Sequence, residues 1–140
     1  MIPLDPRLQQ DTYILGHFAH SVLLLNKNAL FPWFILVPNT DKTELHELDE
    51  ALQCESLEQV NLLAQFIKEH EHVDKINTAA IGNVVSQLHI HIVGRRHDDV
   101  CWPHVVWGVQ ETATYDDAVI DELKRKLKAS FQDSFCVAGN

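Results

Sequence analysis

The stretch that decides the fold is residues 87–93, which read Gln87-Leu88-His89-Ile90-His91-Ile92-Val93. Side chains alternate between the two faces of a β-strand, so this spacing places Leu88, Ile90 and Ile92 together on one face. The amide of residue 87 and the imidazoles of His89 and His91 then share the opposite face. The pattern predicts a strand whose apolar face packs on other elements and whose polar face is available for chemistry.

The segments around this strand predict an α+β domain, because strands, helices, strands and a last helix follow one another along the chain. The predicted strands lie within 12–38, at 73–81 and at 86–94, and the predicted helices span 41–53, 56–72 and 116–132. Ser21–Leu25 and Trp33–Val37 form a predicted hairpin. Ser56 is the predicted N-cap of the second helix, and Leu57 begins the apolar stripe of that helix.

The composition limits which molecules the protein is expected to bind and where in the cell it is expected to lie. The formal net charge of −9 disfavours long nucleic acids, which are normally gripped by a basic face. Cys54, Cys101 and Cys136 are too few and too scattered for a disulfide scaffold. No apolar run is long enough to span a bilayer, and the first residues lack the basic-then-apolar pattern of a signal peptide. We therefore expect a cytoplasmic protein that does not bind membranes.

The 87–93 motif resembles the signature of the histidine triad (HIT) superfamily, His-φ-His-φ-His-φ-φ, in which φ is apolar. Both later histidines match, and Gln87 stands at the position of the first. Members of that superfamily hydrolyse or transfer nucleotidyl groups, because the middle histidine attacks the α-phosphorus and a nucleotidyl-histidine forms. The resemblance implies that His89 is the nucleophile, with His91 and Gln87 completing the catalytic set.

The resemblance covers about residues 12–108 and implies a substrate site and a fold. The implied substrate contacts are Asn26 (at the ribose), Phe34, Asn77, Gly82, Asn83 and Trp107. Packing is the alternative role for Phe34 and for Trp107. Phe34, Val84 and Gln87 replace family residues that titrate or donate to phosphate, so the substrate contacts are expected to differ. The implied fold is one HIT-like domain over 1–140, with about five antiparallel strands, helices on one face and a C-terminal helix. The family also implies a homodimer.

The chemistry of these residue types agrees with what the resemblance implies. A neutral His89 can attack phosphorus, and His91 can bond phosphate oxygens or protonate a leaving oxygen. Backbone amides near Gly82-Asn83 can cradle a phosphate. The sequence has no Walker-type glycine loop and no Asp/Glu metal cluster, so we expect no cofactor and no metal. Arg95 and Arg96 follow the motif and are expected to be solvated.

Two alternatives come from other classes of function. The replacement of the first histidine is compatible with a nucleotide-binding regulatory protein that has no turnover. A metal-binding domain that uses His89 and His91 is the other alternative. The favoured hypothesis is hydrolysis or transfer at the α-phosphorus of a dinucleoside polyphosphate or nucleoside phosphoramidate.

Overall fold

The structure is a computed structural model that describes residues 1–139. The elements are α1 (Pro6–Asp11), β1 (Thr12–Phe18), β2 (Ser21–Asn26), β3 (Trp33–Pro38), α2 (Glu50–His70), β4 (Lys75–Ala79), β5 (Ile90–Arg95), α3 (Asp117–Phe131) and β6 (Cys136–Val137). Short 3-10 turns at Leu45–Glu47 and Gln132–Ser134 precede α2 and follow α3. Within residues 1–139, no helix has the length and apolar character needed to cross a membrane.

The strands form one antiparallel sheet in the order β4-β5-β3-β2-β1-β6. This confirms the predicted α+β fold with an antiparallel sheet and a C-terminal helix. The sheet has six strands rather than about five, because β6 adds to β1 opposite Gly16 and His17. A Cβ at Gly16 would lie 2.3 Å from the carbonyl oxygen of Cys136, so the glycine permits this close approach.

Helices α2 and α3 pack on one face of the sheet. Ile90 and Ile92 of β5 join a core with Leu63 and Ile67 of α2 and Leu127 of α3. This is the aliphatic face that the alternation in residues 87–93 predicts. The helices therefore cover the side of β5 that carries no histidine.

The opposite face of the sheet is covered by the first residues of the chain and by the loop that follows β5. Leu8 of α1 and Val106 of that loop pack on Ile35 and Val93 in a second apolar cluster. His91 lies on this face, because it pairs with Ile35 across the β3–β5 ladder. The polar face of β5 is thus covered by segments of the same chain, which decide what reaches the imidazoles.

Helix α2 is a single helix of 21 residues, so the prediction of two helices over 41–53 and 56–72 is wrong. The side chain of Asp49 caps its start by accepting a hydrogen bond of 2.8 Å from the backbone N–H of Leu52. No proline or glycine interrupts the sequence from residue 50 to 70, so the helix continues through Ser56. Ser56 is buried inside the helix instead of capping it, and Leu57 is 62% exposed rather than part of the core stripe.

Helix α3 confirms the helix predicted over 116–132. Asp116 is its N-cap residue, and Ile120, Leu123 and Leu127 are its buried side chains. The spacing of apolar residues in this helix also predicts Val119 on the buried face, but Val119 is exposed.

Candidate functional site

His89 and His91 are neighbours on the sheet face opposite α2 and α3, with ring centroids 4.9 Å apart. His91 lies in β5, whereas His89 lies in the extended segment that leads into the strand. The two side chains are 7% and 6% exposed. Both imidazoles are therefore held in a largely desolvated setting, in which their hydrogen bonds decide which nitrogens carry protons.

The hydrogen bond of His89 fixes its tautomer. Its Nδ1 lies 2.7 Å from the backbone carbonyl oxygen of Gln87. A carbonyl oxygen only accepts hydrogen bonds, so Nδ1 must carry the proton and donate. The lone pair of the neutral ring is then on Nε2, which is the arrangement that a nucleophilic imidazole needs.

The hydrogen bond of His91 has the opposite sense. The indole Nε1–H of Trp33 donates to Nδ1 of His91 over 2.9 Å, because indole nitrogen can only donate. The neutral ring of His91 therefore carries its proton on Nε2. Burial, together with the neighbouring charge of His89, lowers the pKa of His91 to about 4. Near neutral pH, His91 is a neutral donor of one hydrogen bond rather than an imidazolium.

Trp33 was missed by the sequence analysis, although its position carries a usable signal. It lies two residues before Ile35 and therefore on the same face of β3, and its indole can donate but not accept. Trp107, from the loop after β5, packs against both partners: its ring centroid lies 5.1 Å from that of His91 and 5.5 Å from that of Trp33. The loop thereby places the candidate contact Trp107 beside His91.

The side chain of Gln87 is turned toward the start of the chain. Its Oε1 accepts from the backbone N–H of Asp5 over 2.8 Å, and its Nε2 donates to the carbonyl oxygen of Pro3 over 3.2 Å. The amide thus bonds to the backbone of residues 3–5 and not to either imidazole. Its backbone carbonyl orients His89, as described above. The sequence predicts that Gln87 belongs to the catalytic set, whereas the hydrogen bonds of its side chain lie with the first residues of the chain.

The candidate phosphate cradle is the loop that connects β4 and β5. Gly82 has a φ of +69°, a left-handed conformation that glycine adopts without strain. Asn83 is exposed. Val84 is 74% exposed, and its apolar side chain cannot donate a hydrogen bond to a phosphate. The loop is therefore open to solvent, and its polar groups include the backbone, the Asn83 amide and the exposed hydroxyl of Ser86.

Asn26 and Asn77 are on the same sheet face as the imidazoles, but both side chains have structural partners. Asn26 ends β2 and accepts a hydrogen bond from the backbone N–H of Asn28 over 2.9 Å, which stabilises the turn. Asn77 pairs with Val93 in the ladder, and its Oδ1 accepts from Nη1 of Arg95 over 3.0 Å. Each amide retains its NH₂ group for a ligand.

The placement of Phe34 in the substrate site is contradicted by the structure. Phe34 pairs with Ile92, so its side chain points to the helix-covered face of the sheet. It is fully buried there, and its ring centroid lies 6.2 Å from that of Phe66 in α2. Phe34 is a core residue because the register with β5 puts it one position out of phase with His91.

The expectation that Arg95 is solvated is also wrong. Its side chain is 1% exposed and forms an ion pair with Asp99, with Nε 2.7 Å from Oδ2. Burial raises the pKa of Asp99, but hydrogen bonds from Arg95 and from two backbone N–H groups outweigh it, so that the pKa lies below its ordinary value. The neighbouring Arg96 is exposed, as expected. Arg95 and Asp99 anchor the start of the loop that carries Trp107.

A metal centre has no support in the described part of the chain, where no three His, Cys, Asp or Glu side chains converge in a way that can hold an ion. Among residues 1–139, His89 and His91 have no third potential ligand of these types beside them.

The lowered pKa of His91 predicts a loss of stability in mild acid. In the unfolded chain this histidine takes up a proton as the pH falls below its ordinary value of 6.5, whereas the folded protein resists until about pH 4. The free energy of unfolding should therefore fall between these two pH values. The contribution of His91 is at most about 3 kcal/mol. Urea unfolding at pH 7.5, 5.5 and 4.5 measures it.

A control is needed because carboxylates also titrate in this pH range, and their contribution to the pH dependence of stability must be distinguished from that of His91. The His91→Gln variant should lose stability less steeply between pH 7.5 and 4.5 than the wild type. His97→Gln, which changes an exposed histidine, should keep the wild-type slope. Equal slopes for all three proteins contradict the assignment.

Comparisons with known proteins identify a family and similar structures. The model of the HIT domain family matches residues 7–98. A histidine triad protein from Bradyrhizobium japonicum is 36% identical, with a TM-score of 0.87 over 91% of this chain and 96% of that chain. One from Marinobacter aquaeolei is 35% identical, with a TM-score of 0.88 over 96% of this chain and 98% of that chain. No match was found among curated proteins.

More distant structures share the fold alone. A diadenosine triphosphate hydrolase from Plasmodium falciparum is 17% identical, with a TM-score of 0.56 over 88% of this chain and 86% of that chain. The family model covers more than half of the chain, and the two closer structures match nearly all of it. The chain belongs to the HIT domain family.

Proposed function

We propose that the protein hydrolyses or transfers the nucleotidyl group of a small nucleotide through a nucleotidyl intermediate on His89. The observation that carries the proposal is the hydrogen bond from Nδ1 of His89 to the carbonyl oxygen of Gln87, which leaves the Nε2 lone pair as the nucleophile. Membership of the HIT family supports a function of the nucleotide hydrolase or transferase type in general.

The reaction has two displacements at the α-phosphorus. In the first, Nε2 of His89 attacks in line, a nitrogen–phosphorus bond forms, and the bond to the leaving oxygen breaks. In the second, water or another acceptor attacks the same phosphorus, the nitrogen–phosphorus bond breaks, and the imidazole returns to its neutral form. A water molecule gives its oxygen to the nucleotide and its proton to solvent.

The hydrogen bonds of His91 support one class of leaving group. With Nδ1 accepting from Trp33, a second proton on this ring would set two N–H groups against each other. The pKa of about 4 agrees with a neutral ring, whose Nε2–H can donate to a phosphate oxygen in the transition state. His91 then has no acidic proton for a departing amine. A nucleoside phosphate leaves as an anion and needs none, so we favour a dinucleoside polyphosphate over a phosphoramidate.

The proposed substrate contacts surround this pair. Asn26 would bind the ribose, Gly82 and Asn83 would hold the phosphate, and Asn77 and Trp107 would line the remainder. The partner is a small nucleotide rather than a long nucleic acid, in keeping with the net charge of −9. The proposal places the protein in the cytoplasm, where the free thiols Cys54, Cys101 and Cys136 would stay reduced.

The test is a mass-spectrometric search for the intermediate. The protein is mixed with a dinucleoside polyphosphate, quenched within milliseconds to seconds in base, and digested, because a phosphorus–nitrogen bond to histidine is labile in acid. The proposal expects the mass of one nucleoside monophosphate, less water, on the peptide that contains His89. Turnover without that adduct in wild type, or with the adduct on another residue, contradicts the mechanism.

A nucleotide-binding protein without turnover is the second candidate. It is favoured by the burial of both imidazoles and by the Gln87 amide, which is committed to residues 3–5. Tight binding of a nucleoside monophosphate, with neither adduct nor turnover over a panel of dinucleoside polyphosphates, would select this candidate.

We also propose that two copies form a homodimer through the open edge of β4. In the described sheet, β4 pairs with β5 only, so its outer edge offers free backbone groups. Beside this edge, Leu57 of α2 is 62% exposed and lines a groove of about 510 Å³ together with Leu45 and Thr78. An open strand edge next to an apolar groove suits pairing with a second copy.

The Leu57→Asp variant should be monomeric. A carboxylate in a buried apolar contact is strongly unfavourable, whereas in the isolated protomer the side chain is exposed and the fold should tolerate the change. Light scattering coupled to size-exclusion chromatography measures the mass. Val119→Asp, which alters an exposed valine on α3, should remain dimeric. A monomeric wild type, or a dimeric Leu57→Asp variant with its fold intact, contradicts the proposal.

A further inference from the structure

The first residues of the chain form a strap, residues 2–7, that lies against the candidate phosphate loop. Two hydrogen bonds hold its backbone on both sides of residue 4: the Gln87 amide donates to the carbonyl oxygen of Pro3 and accepts from the backbone N–H of Asp5. Leu4 packs on the apolar cluster below. The strap is therefore fixed to the residue whose backbone carbonyl orients His89.

The strap delivers one cationic side chain to the loop. The carboxylate of Asp5 accepts from the backbone N–H of Arg7 over 2.8 Å, which fixes the first turn of α1. From there, Nη1 of Arg7 donates to the carbonyl oxygen of Val84 over 3.0 Å. A chain of hydrogen bonds thus connects His89, Gln87, Asp5 and Arg7, and the guanidinium ends beside the loop that includes Gly82.

Arg7 differs in its electrostatic setting from the other arginines of the chain. Arg95, Arg96 and Arg125 each form an ion pair with an aspartate or a glutamate. Within residues 1–139, Arg7 has no such carboxylate partner, and its side chain is exposed. One of its five N–H donors bonds to the loop, and the others are available to a ligand.

The positive charge of Arg7 beside the 82–86 loop can attract an anionic ligand. The protein carries a net charge of −9, which repels an anionic ligand unless a local cation offsets it. Val84 offers no side-chain donor, and His91 is neutral near pH 7. A guanidinium bonds to phosphate oxygens with a geometry that suits two parallel hydrogen bonds.

We infer that Arg7 binds an anionic group of the substrate at the 82–86 loop, and that Gln87 is the positioning residue that holds Arg7 there. This inference rests on the proposed function for the identity of the ligand, a nucleotide. At the first position of the motif, the amide of Gln87 accepts from the backbone N–H of Asp5 and donates to the carbonyl oxygen of Pro3, so one side chain holds the strap at two points.

The test compares Arg7→Gln and Arg7→Lys with Arg96→Gln, a control that removes an exposed arginine ion-paired to Asp98. Titration calorimetry with adenosine monophosphate and with pyrophosphate, at low and high salt, gives the affinity. Arg7→Gln should weaken binding by about tenfold or more at low salt, since it removes a charge-assisted hydrogen bond. Arg7→Lys should recover part of the loss, and Arg96→Gln should bind as the wild type does.

Kinetics and a double-mutant cycle test the role of Gln87. Arg7→Gln should raise KM for a dinucleoside polyphosphate more than it lowers kcat, because the contact is made in the bound ground state as well. Gln87→Ala should weaken binding in the wild type but add little in the Arg7→Gln background, since both changes remove the same contact.

The outcomes separate this inference from the proposed function. Equal affinity of the wild type and Arg7→Gln overturns the inference and leaves the nucleotidyl-histidine proposal intact. Affinity that depends on Arg7, in a protein that never forms the adduct, supports the inference and contradicts the catalytic proposal. A wild type that binds neither anion overturns the inference, and the search for the adduct then decides the catalytic proposal by itself.

Discussion

His89→Ala is expected to reduce kcat/KM on a dinucleoside polyphosphate by at least about a thousandfold, because it removes the atom that forms the covalent intermediate. The methyl group cannot attack phosphorus, and a water molecule in its place is a far weaker nucleophile at neutral pH. The measurement is single-turnover and steady-state hydrolysis followed by chromatography of the products. The nucleotidyl adduct should disappear in the same variant.

The control for His89→Ala is His20→Ala. His20 is an exposed histidine that contacts Glu55, and both residues are distant in sequence from residues 87–93. It should retain wild-type turnover. A His89→Gly variant assayed with free imidazole provides a second check, since a diffusible ring can occupy the vacated space. An alanine variant that keeps more than a tenth of the wild-type kcat/KM contradicts the role of His89 as the nucleophile.

Arg95→Ala is expected to lower the free energy of unfolding by about 3 to 5 kcal/mol, because it leaves the buried Asp99 without its partner. The ion pair is almost wholly shielded from water, with side chains 1% and 7% exposed. Arg95 also donates to the Asn77 amide and lies 5.5 Å from the ring centroid of Trp102. Chemical unfolding monitored by tryptophan fluorescence and circular dichroism gives the difference.

The adjacent residue supplies a matched control for this change. Arg96→Ala removes the same kind of side chain from an exposed pair with Asp98 and should cost no more than about 1 kcal/mol. The pKa of Asp99 lies below its ordinary value, so the pair stabilises the fold above that value and loses its contribution as the pH falls. Similar losses for Arg95→Ala and Arg96→Ala at pH 7 contradict the structural role of Arg95.

Removal of the Arg95 side chain should disturb the candidate site as well as lower the stability of the fold. The loop that Asp99 begins carries Trp107, which packs on His91 and Trp33. Its displacement would expose the imidazole pair to water and raise the local dielectric. This link explains why a cation two positions beyond the motif is buried against a carboxylate rather than solvated.

The arrangement of the two imidazoles follows from the order of the side chains in residues 87–93. Alternation along an extended chain is local, with a period of two residues, and needs no knowledge of neighbours. It correctly separates Ile90 and Ile92 from His91, and the helices occupy the aliphatic face. The helix predicted over 116–132 is confirmed for the same reason. Acidic residues in its first turn, basic residues in its last turn and the apolar stripe between them depend only on spacings within the helix.

Phe34 shows where local reasoning ends. The resemblance implies a substrate contact for Phe34 through its motif position, with packing as the alternative role, and the choice depends on the register between β3 and β5. Pairing of Ile35 with His91 puts Trp33 on the histidine face and Phe34 in the helix-packed core. A shift of one residue would reverse both, and only the tertiary structure fixes that register.

By itself, the sequence determined the α+β class, the strand that carries His91 and the separation of its faces, because these depend on spacings of a few residues. The strand begins at Ile90 rather than at residue 86, so His89 precedes it. The tertiary structure decided which nitrogen of each imidazole carries a proton, since Trp33 is 58 residues from His91. It also decided that Gln87 bonds to Asp5, 82 residues away, and that Arg95 is buried. Such contacts join segments whose approach is set by the packing of the whole sheet, and no local periodicity encodes them.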